Sequence, residues 1–467
     1  MSKAVCPPSS AGLALGAILQ MFGTEVDDAA ITEVFDGGFL DAVGAENIRQ
    51  VFADVGAATL VSVDPSSPNS LRSRLRAPGG ELARLELVVA GSAPHRIIGL
   101  TIRPELDQSS LPFEELLPPP LTVHAGGLDE ALAERFTRRL EDIVTAKAIT
   151  GLAASVVQRG RVAWHASCGW ASAEERRPVE ARTVFRAYSV TKLVTAIAVL
   201  QLWEQHQFDL DDPVNEHLKA MRLEGPGRQI TVRDLLSHRS GLGSSGSELL
   251  WQTQATSAVD VLGPVIDLPE RPGDIAYSNA GYGVLTQLVE DLSGVRFDDY
   301  IQSNVFEPLG MISSELRRSD PPGERFAVGH DVAFDEVVSS ATEVPSLLGA
   351  GGMFTTAPDL AALALAVIGG GANGTGRVVS EEVIALATRP VVAGAPVGLG
   401  FFLAEVSGRA CVWHNGGGRG FSSALYVAPT GGAAVALLAN TSGRTGQPGG
   451  LEADAIGMLE EVLDGVG

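Results

Sequence analysis

Lysine is scarce in this chain: of 34 basic residues among 467, only Lys3, Lys147, Lys192 and Lys219 are lysine. Arginine effectively never loses its proton, so a chain that uses it almost everywhere gains from lysine chiefly where a titratable amine is needed. Cysteine is scarcer still. Cys6, Cys168 and Cys411 are odd in number and far apart, which argues against a disulfide framework and against a CxxC zinc or redox site. Long apolar runs are missing, and none reaches the roughly 20 residues that cross a bilayer. Positive charge is outweighed, 34 Lys and Arg against 56 Asp and Glu, so nucleic acid and membrane surfaces are not expected partners. The Gly-x-Ser-x-Gly elbow, His-Glu-x-x-His, Walker and dinucleotide fingerprints are absent as well, and neither a cofactor nor a metal is expected.

What is present is the material of a packed protein, 45% hydrophobic and 19% charged, long enough for two domains. Helical patterns at 10–23, 27–35 and 45–55 precede alternating runs near 57–64, 70–77, 81–90 and 96–103. That order predicts a small α+β domain with an antiparallel sheet over residues 1–110. The run Ala11 to Phe22 loosely imitates a secretion leader, but Gly12 and Gly16 interrupt it. Leu15, Ile18, Leu19 and Phe22 recur at helical spacing, so a packed helix and a cytoplasmic protein are expected. Residues 111–127, with Pro118-Pro119-Pro120, read as a stiff linker. A second domain spans 128–467. Its helix to Lys147, strands at 152–158 and 161–168, helical middle at 189–310, strands near 399–405, 410–414, 421–428 and 432–439 and final helix at 449–464 imply one sheet assembled from both ends around a helical subdomain.

Lys192 stands in Tyr188-Ser189-Val190-Thr191-Lys192, at the start of an apolar helix. Ser189 and Lys192 are three apart and share one helical face. A desolvated lysine there has a lowered pKa and can take the serine proton, while the helix start favours developing negative charge. Tyr277-Ser278-Asn279 offers a second set of groups: a tyrosine held near phenolate by a neighbouring ammonium can act as base, and an asparagine amide can donate to a substrate carbonyl. Trp413-His414-Asn415-Gly416-Gly417-Gly418, on a strand pattern, offers close backbone approach and an N–H for an oxyanion hole.

In order and spacing, Ser-x-x-Lys, Tyr-x-Asn and His-x-Gly resemble the serine β-lactamase and penicillin-binding-protein superfamily. The likeness is to its class C branch, which also holds the family VIII carboxylesterases and the D-aminopeptidases. It extends to Thr195–Val214, Ile230–Leu242, Gly349–Leu363 and His414–Ser423. The resemblance implies a β-lactamase/transpeptidase-like α+β domain with Ser189 as acylated nucleophile, Lys192 as activating amine and Tyr277 as proton shuttle. It implies further that Asn279, His414, Gly416 and Gly417 bind substrate, the N–H groups of Ser189 and Gly417 forming the oxyanion hole. His238, in a loop that borders the cleft in the family, reads as structural. His414 stands where many members carry lysine, a cation for substrate carboxylates. A histidine with an ordinary pKa is mostly neutral at pH 7, which turns the expectation toward small carboxylic esters. Hydrolysis of a lactam or D-amino peptide bond, acyl transfer, and binding without turnover are the alternatives. The N-terminal helices and meander, closing on Pro94–Leu100, resemble the nuclear-transport-factor-two-like (cystatin-like) cone, which implies a structural or gating role and homo-oligomerisation through that domain.

Overall fold

The computed structural model describes residues 6–24, 26–79, 82–104, 111–112, 116, 119, 121–225, 227–242, 251–252, 257–267, 273–317, 323–333, 336–340, 344–345, 347–443 and 450–465. They form two compact units, Met1–Ser109 and Ser110–Gly467. Of the loops 243–253 and 316–344, residues 243–250, 253, 318–322, 334–335 and 341–343 lie outside the described residues.

The first unit places helices Ser10–Met21, Asp28–Val34, Gly37–Val43 and Ala45–Val55 before an antiparallel meander of Thr59–Ser67, Ser70–Arg76, Leu82–Val89 and Ile97–Pro104. Ser9 and Asp27 cap the first two helices by accepting from Gly12 N and Ala30 N. Of the face read from spacing, Leu15, Ile18 and Phe22 are buried with Leu71, Leu75, Leu85 and Leu87 of the sheet, while Leu19 is only partly buried. The helix Gly37–Val43 escaped the sequence reading, because two glycines at its start give it poor intrinsic propensity.

In the second unit, strands Phe402–Val406, Arg409–Gly418, Phe421–Ala428, Ala433–Ala439, Gly151–Gln158, Arg161–Ser172 and Thr122–Ala125 lie side by side in that order, every neighbour antiparallel. The join of the chain's two ends, Leu437 opposite Ala154, is the one expected from the sequence. Central strands are buried along their whole length, as expected when helices cover both faces. Helices Glu130–Ala146 and Leu451–Asp464 pack on one face with Val156, Trp164 and Leu437. On the other, Val157, Leu425 and Leu438 meet the helices Thr191–Glu204 and Ala357–Ile368.

The expected Pro-rich linker is in part sheet. Leu111–Pro112 pairs with Glu336–Ser339, and Thr122–Ala125 with Arg161–Ser172. A proline-stiffened segment is already extended, so it can serve as an edge strand where pairing satisfies its carbonyls. Among the described residues no helix is long and apolar enough to cross a membrane.

Candidate active site

The helix Thr191–Glu204 begins two residues after Ser189, with Val190 as its N-cap and Lys192 in its first turn. Ser189 therefore precedes the helix rather than opening it, and the Lys192 N–H donates to the Ser189 carbonyl. Tyr188, just before the serine, takes a left-handed φ of 47°, a strained conformation for a bulky residue. Its hydroxyl is fastened to the Arg419 carbonyl at 2.6 Å, which helps hold the turn.

Lys192 is completely buried. Its Nζ lies 2.7 Å from the Ala350 carbonyl, 2.8 Å from Asn279 Oδ1 and 3.1 Å from Ser189 Oγ. Desolvation pushes its pKa well below the ordinary lysine value. A neutral amine has two N–H donors and one lone pair. Two of the three partners can only accept, so in the neutral form they take both N–H donors and the lone pair faces the serine hydroxyl.

Tyr277 hydrogen-bonds Ser189, and its ring centre is 4.8 Å from Lys192 Nζ. The phenolate expected from the sequence is not the resting form. Burial drives the Tyr277 pKa up, and the Ser189 bond offsets this only in part. Asn279 opens the helix Asn279–Ser293, which Ser278 caps by accepting from Gly281 N.

His414 is buried, its ring centre 6.2 Å from that of Tyr277 and 5.3 Å from that of Phe402. Nδ1 donates to the Asn415 carbonyl at 2.6 Å, since that oxygen can only accept. Desolvation, then the Lys192 charge, pull the His414 pKa down to about 3. The ring is uncharged at neutral pH, and its Nε2 is a buried acceptor without a partner among the described residues.

The strand Arg409–Gly418 is second in the sheet, and its neighbour Phe402–Val406 reaches only as far as Trp413. Edge character begins beyond that point. Two-residue turns close both flanking hairpins, Val406 facing Arg409 and Gly418 facing Phe421. Alternation from either turn aims the Gly417 N–H away from the partner strand, toward the uncovered side. Gly416 and Gly417 therefore differ in what they do. A Cβ on Gly416 would lie 2.1 Å from the Ala187 carbonyl and 2.9 Å from Ser189 N, so Gly416 lets the strand seat against the nucleophile turn instead of making room for substrate. Gly416→Ala is expected to cost about 10²-fold or more in kcat/KM by displacing the nucleophile, and about 1–3 kcal/mol of stability by overpacking. Kinetics and a thermal melt check both.

Sequence reasoning missed Ala350, whose carbonyl holds Lys192. The Gly349-Ala350-Gly351-Gly352 run was the available signal: a Cβ on Gly349 would meet Thr286 Oγ1 at 2.3 Å, so the run lies tight against the helices. His238 also does more than fill space. It contacts Tyr277 and accepts from Ser278 N. Among the described residues, Asp212, Glu216 and His217 form the only cluster with metal-ligand groups, and there Asp212 already bonds His217 and the Asp209 N–H.

A buried amine touching a serine at a helix start, with a tyrosine and an N–H-bearing strand around it, defines the active-serine class of the penicillin-recognising fold. The beta-lactamase family model matches residues 136–456, more than half of the chain, and the protein belongs to that family. Esterase EstB of Burkholderia gladioli is 30% identical over 260 residues, 50% of this chain and 64% of that one. The chain spans about half the length, 54% and 40%, of two penicillin-binding-protein relatives from Bacillus subtilis. Among solved structures, the octameric penicillin-binding protein homologue from Pyrococcus abyssi superposes with a TM-score of 0.59 at 25% identity, covering 71% of this chain and 77% of that one. The D-amino acid amidase from Ochrobactrum anthropi SV3, at 0.61 and 23%, covers 72% and 99% and shares the fold. The family match does not reach the N-terminal unit, whose cone-like reading stays an expectation from sequence.

Proposed function

We propose that the protein is a serine hydrolase working through an acyl-enzyme on Ser189, with carboxylic esters as its substrates. The observation that carries this is the buried Lys192 amine, held by two acceptors and 3.1 Å from Ser189 Oγ, where the lone pair of its neutral form can take the serine proton. Ser189 Oγ attacks the ester carbonyl as its proton passes to Lys192, and the N–H groups of Ser189 and Gly417 hold the oxyanion. The Asn279 amide nitrogen, its oxygen occupied by Lys192, is the half left to donate to the acyl part. Collapse expels the alkoxide, which takes the Tyr277 proton. The new Lys192 ammonium beside that ring favours the phenolate and then returns the proton to it. Water repeats the sequence on the acyl-enzyme and frees the acid.

The ester preference rests on His414, since an uncharged ring with a bare acceptor offers a substrate carboxylate no attraction. Esterase activity in the EstB relative supports the same reading. Amide or lactam hydrolysis by the same residues is the second reading, supported by the amidase and penicillin-binding relatives. Self-association is supported by the octameric homologue.

The test incubates the protein with p-nitrophenyl butyrate and with a chromogenic cephalosporin, and follows colour and intact mass. Ester turnover with a one-acyl mass gain and little lactam hydrolysis is expected; rapid lactam turnover would overturn the argument from His414. His414→Lys, which supplies the missing cation, is expected to shift the cephalosporin-to-ester ratio of kcat/KM upward by about tenfold, roughly the effect of one partly buried charge contact.

A further inference from the structure

His238 is bonded to both sides of Tyr277. Its carbonyl accepts from Ala276 N at 2.8 Å, and its Nδ1 accepts from Ser278 N at 3.1 Å. Its imidazole lies against the Tyr277 ring, centre to centre 4.6 Å at 35°, and also borders Tyr282 and Phe402 at 5.2 and 5.8 Å. The next residue continues the attachment: the Arg239 carbonyl accepts from Gly273 N at 2.9 Å, and Arg239 Nε donates to the Gly273 carbonyl at 2.8 Å. Residues 238–239 thus hold the segment from Gly273 to Ser278, on which Tyr277 sits between two bonded neighbours.

The backbone at His238 is left-handed, φ 58°, which a β-carbon-bearing residue adopts only when its surroundings enforce it. That conformation is what lets one residue present both its carbonyl and its side-chain nitrogen to the same loop. Nδ1 accepts, so the ring proton is on Nε2; protonating Nδ1 would remove the acceptor. Burial, with the Lys192 charge adding to it, holds the His238 pKa well below its ordinary value and keeps Nδ1 free to accept.

We propose that His238 is a positioning residue for Tyr277, fixing the direction of its hydroxyl toward Ser189 and the leaving group by bonding both flanks of the tyrosine and packing its ring. This rests on the role given to Tyr277 above. It makes a claim that a merely structural histidine would not. If Tyr277 delivers the leaving-group proton, misplacing it harms substrates whose leaving group needs that proton and spares those whose leaving group does not. Nitrophenolate leaves unprotonated, whereas ethoxide does not.

The experiment compares kcat/KM, which reports acylation, for p-nitrophenyl butyrate and ethyl butyrate in wild type, His238→Ala, His238→Asn and Tyr277→Phe. General-acid help is worth about 10²–10⁴-fold. His238→Ala is expected to lose about 10²-fold on the ethyl ester and less than about fivefold on the nitrophenyl ester. Asparagine tolerates the left-handed backbone and can offer an acceptor to Ser278 N, so His238→Asn should recover much of the ethyl-ester rate. Equal losses on both esters, or none, would overturn the inference. Should His238→Ala fail to fold, the asparagine variant decides: it lacks the ring, so its nitrophenyl-to-ethyl ratio must still exceed wild type by about threefold or more, and an unchanged ratio rejects the positioning role. A Tyr277→Phe enzyme without leaving-group preference sinks the role of Tyr277 and the positioning with it. Preference in Tyr277→Phe but not in His238→Ala sinks the positioning alone.

Discussion

Ser189→Ala is expected to lower kcat/KM for p-nitrophenyl butyrate by roughly 10⁴- to 10⁶-fold and to leave no acyl adduct in the mass spectrum. The residue gives its oxygen to the only covalent bond in the proposed cycle, and nothing nearby can replace it. Tyr277 is a buried phenol whose pKa is pushed up, and it is a poor nucleophile. Folding should survive: Ser189 lies before the helix, its side chain bonds only Lys192 and Tyr277 among the described contacts, and alanine at a turn removes one hydroxyl. A melting temperature within a few degrees of wild type would separate lost chemistry from lost structure. A double variant with Lys192→Met should be no slower than Ser189→Ala alone, because groups acting as one unit do not add. Turnover that persists in Ser189→Ala would end the acyl-enzyme reading.

Lys192→Met carries the second large effect, a loss of about 10³-fold or more in kcat/KM with every other group in place. Methionine fills the space but cannot take a proton. The pH dependence has a definite sign. The active form is the neutral amine, so wild-type kcat/KM should fall as pH drops through the lowered folded-state pKa of Lys192. The same shift bears on stability. Between that folded pKa and the unfolded value near 10.4, the unfolded chain binds the extra proton, so stability rises with pH by up to about 1.4 kcal/mol per unit. Below the folded pKa both states are protonated and the slope vanishes. Lys192→Met removes this contribution, so subtracting its denaturant-derived stability curve from that of wild type should isolate a slope of about one proton. A flat difference would mean that Lys192 remains charged in the folded protein.

Much of this was legible in the sequence because it is local. The spacing of Ser189 and Lys192 is a helical-turn relation, and Lys192 stood out through composition alone. The strands of 399–439 and the closing helix were readable from periodicity, and they form as expected at Phe402–Val406, Arg409–Gly418, Phe421–Ala428, Ala433–Ala439 and Leu451–Asp464. The differences share a cause. Leu111–Pro112 and Thr122–Ala125, at the ends of the stretch read as a linker, pair with partners far off in the chain. A Tyr277 phenolate follows from proximity to a lysine alone, whereas burial of both groups, which acts against it, is not a local property of the sequence.

By itself the sequence determined which residues could do chemistry and in what order they come, since helix spacing, strand alternation and turn residues act over a few positions. Only the tertiary structure decided their protonation states and their reach. Desolvation lowers the Lys192 pKa, and Asn279, 87 residues on, and Ala350, 158 residues on, accept hydrogen bonds from its amine. Gly416 proves to be a contact with the nucleophile turn, and His238 a clamp on Tyr277, through approaches of a few ångström between distant segments. Desolvation and close contact arise from many residues packing at once, and no local pattern encodes them.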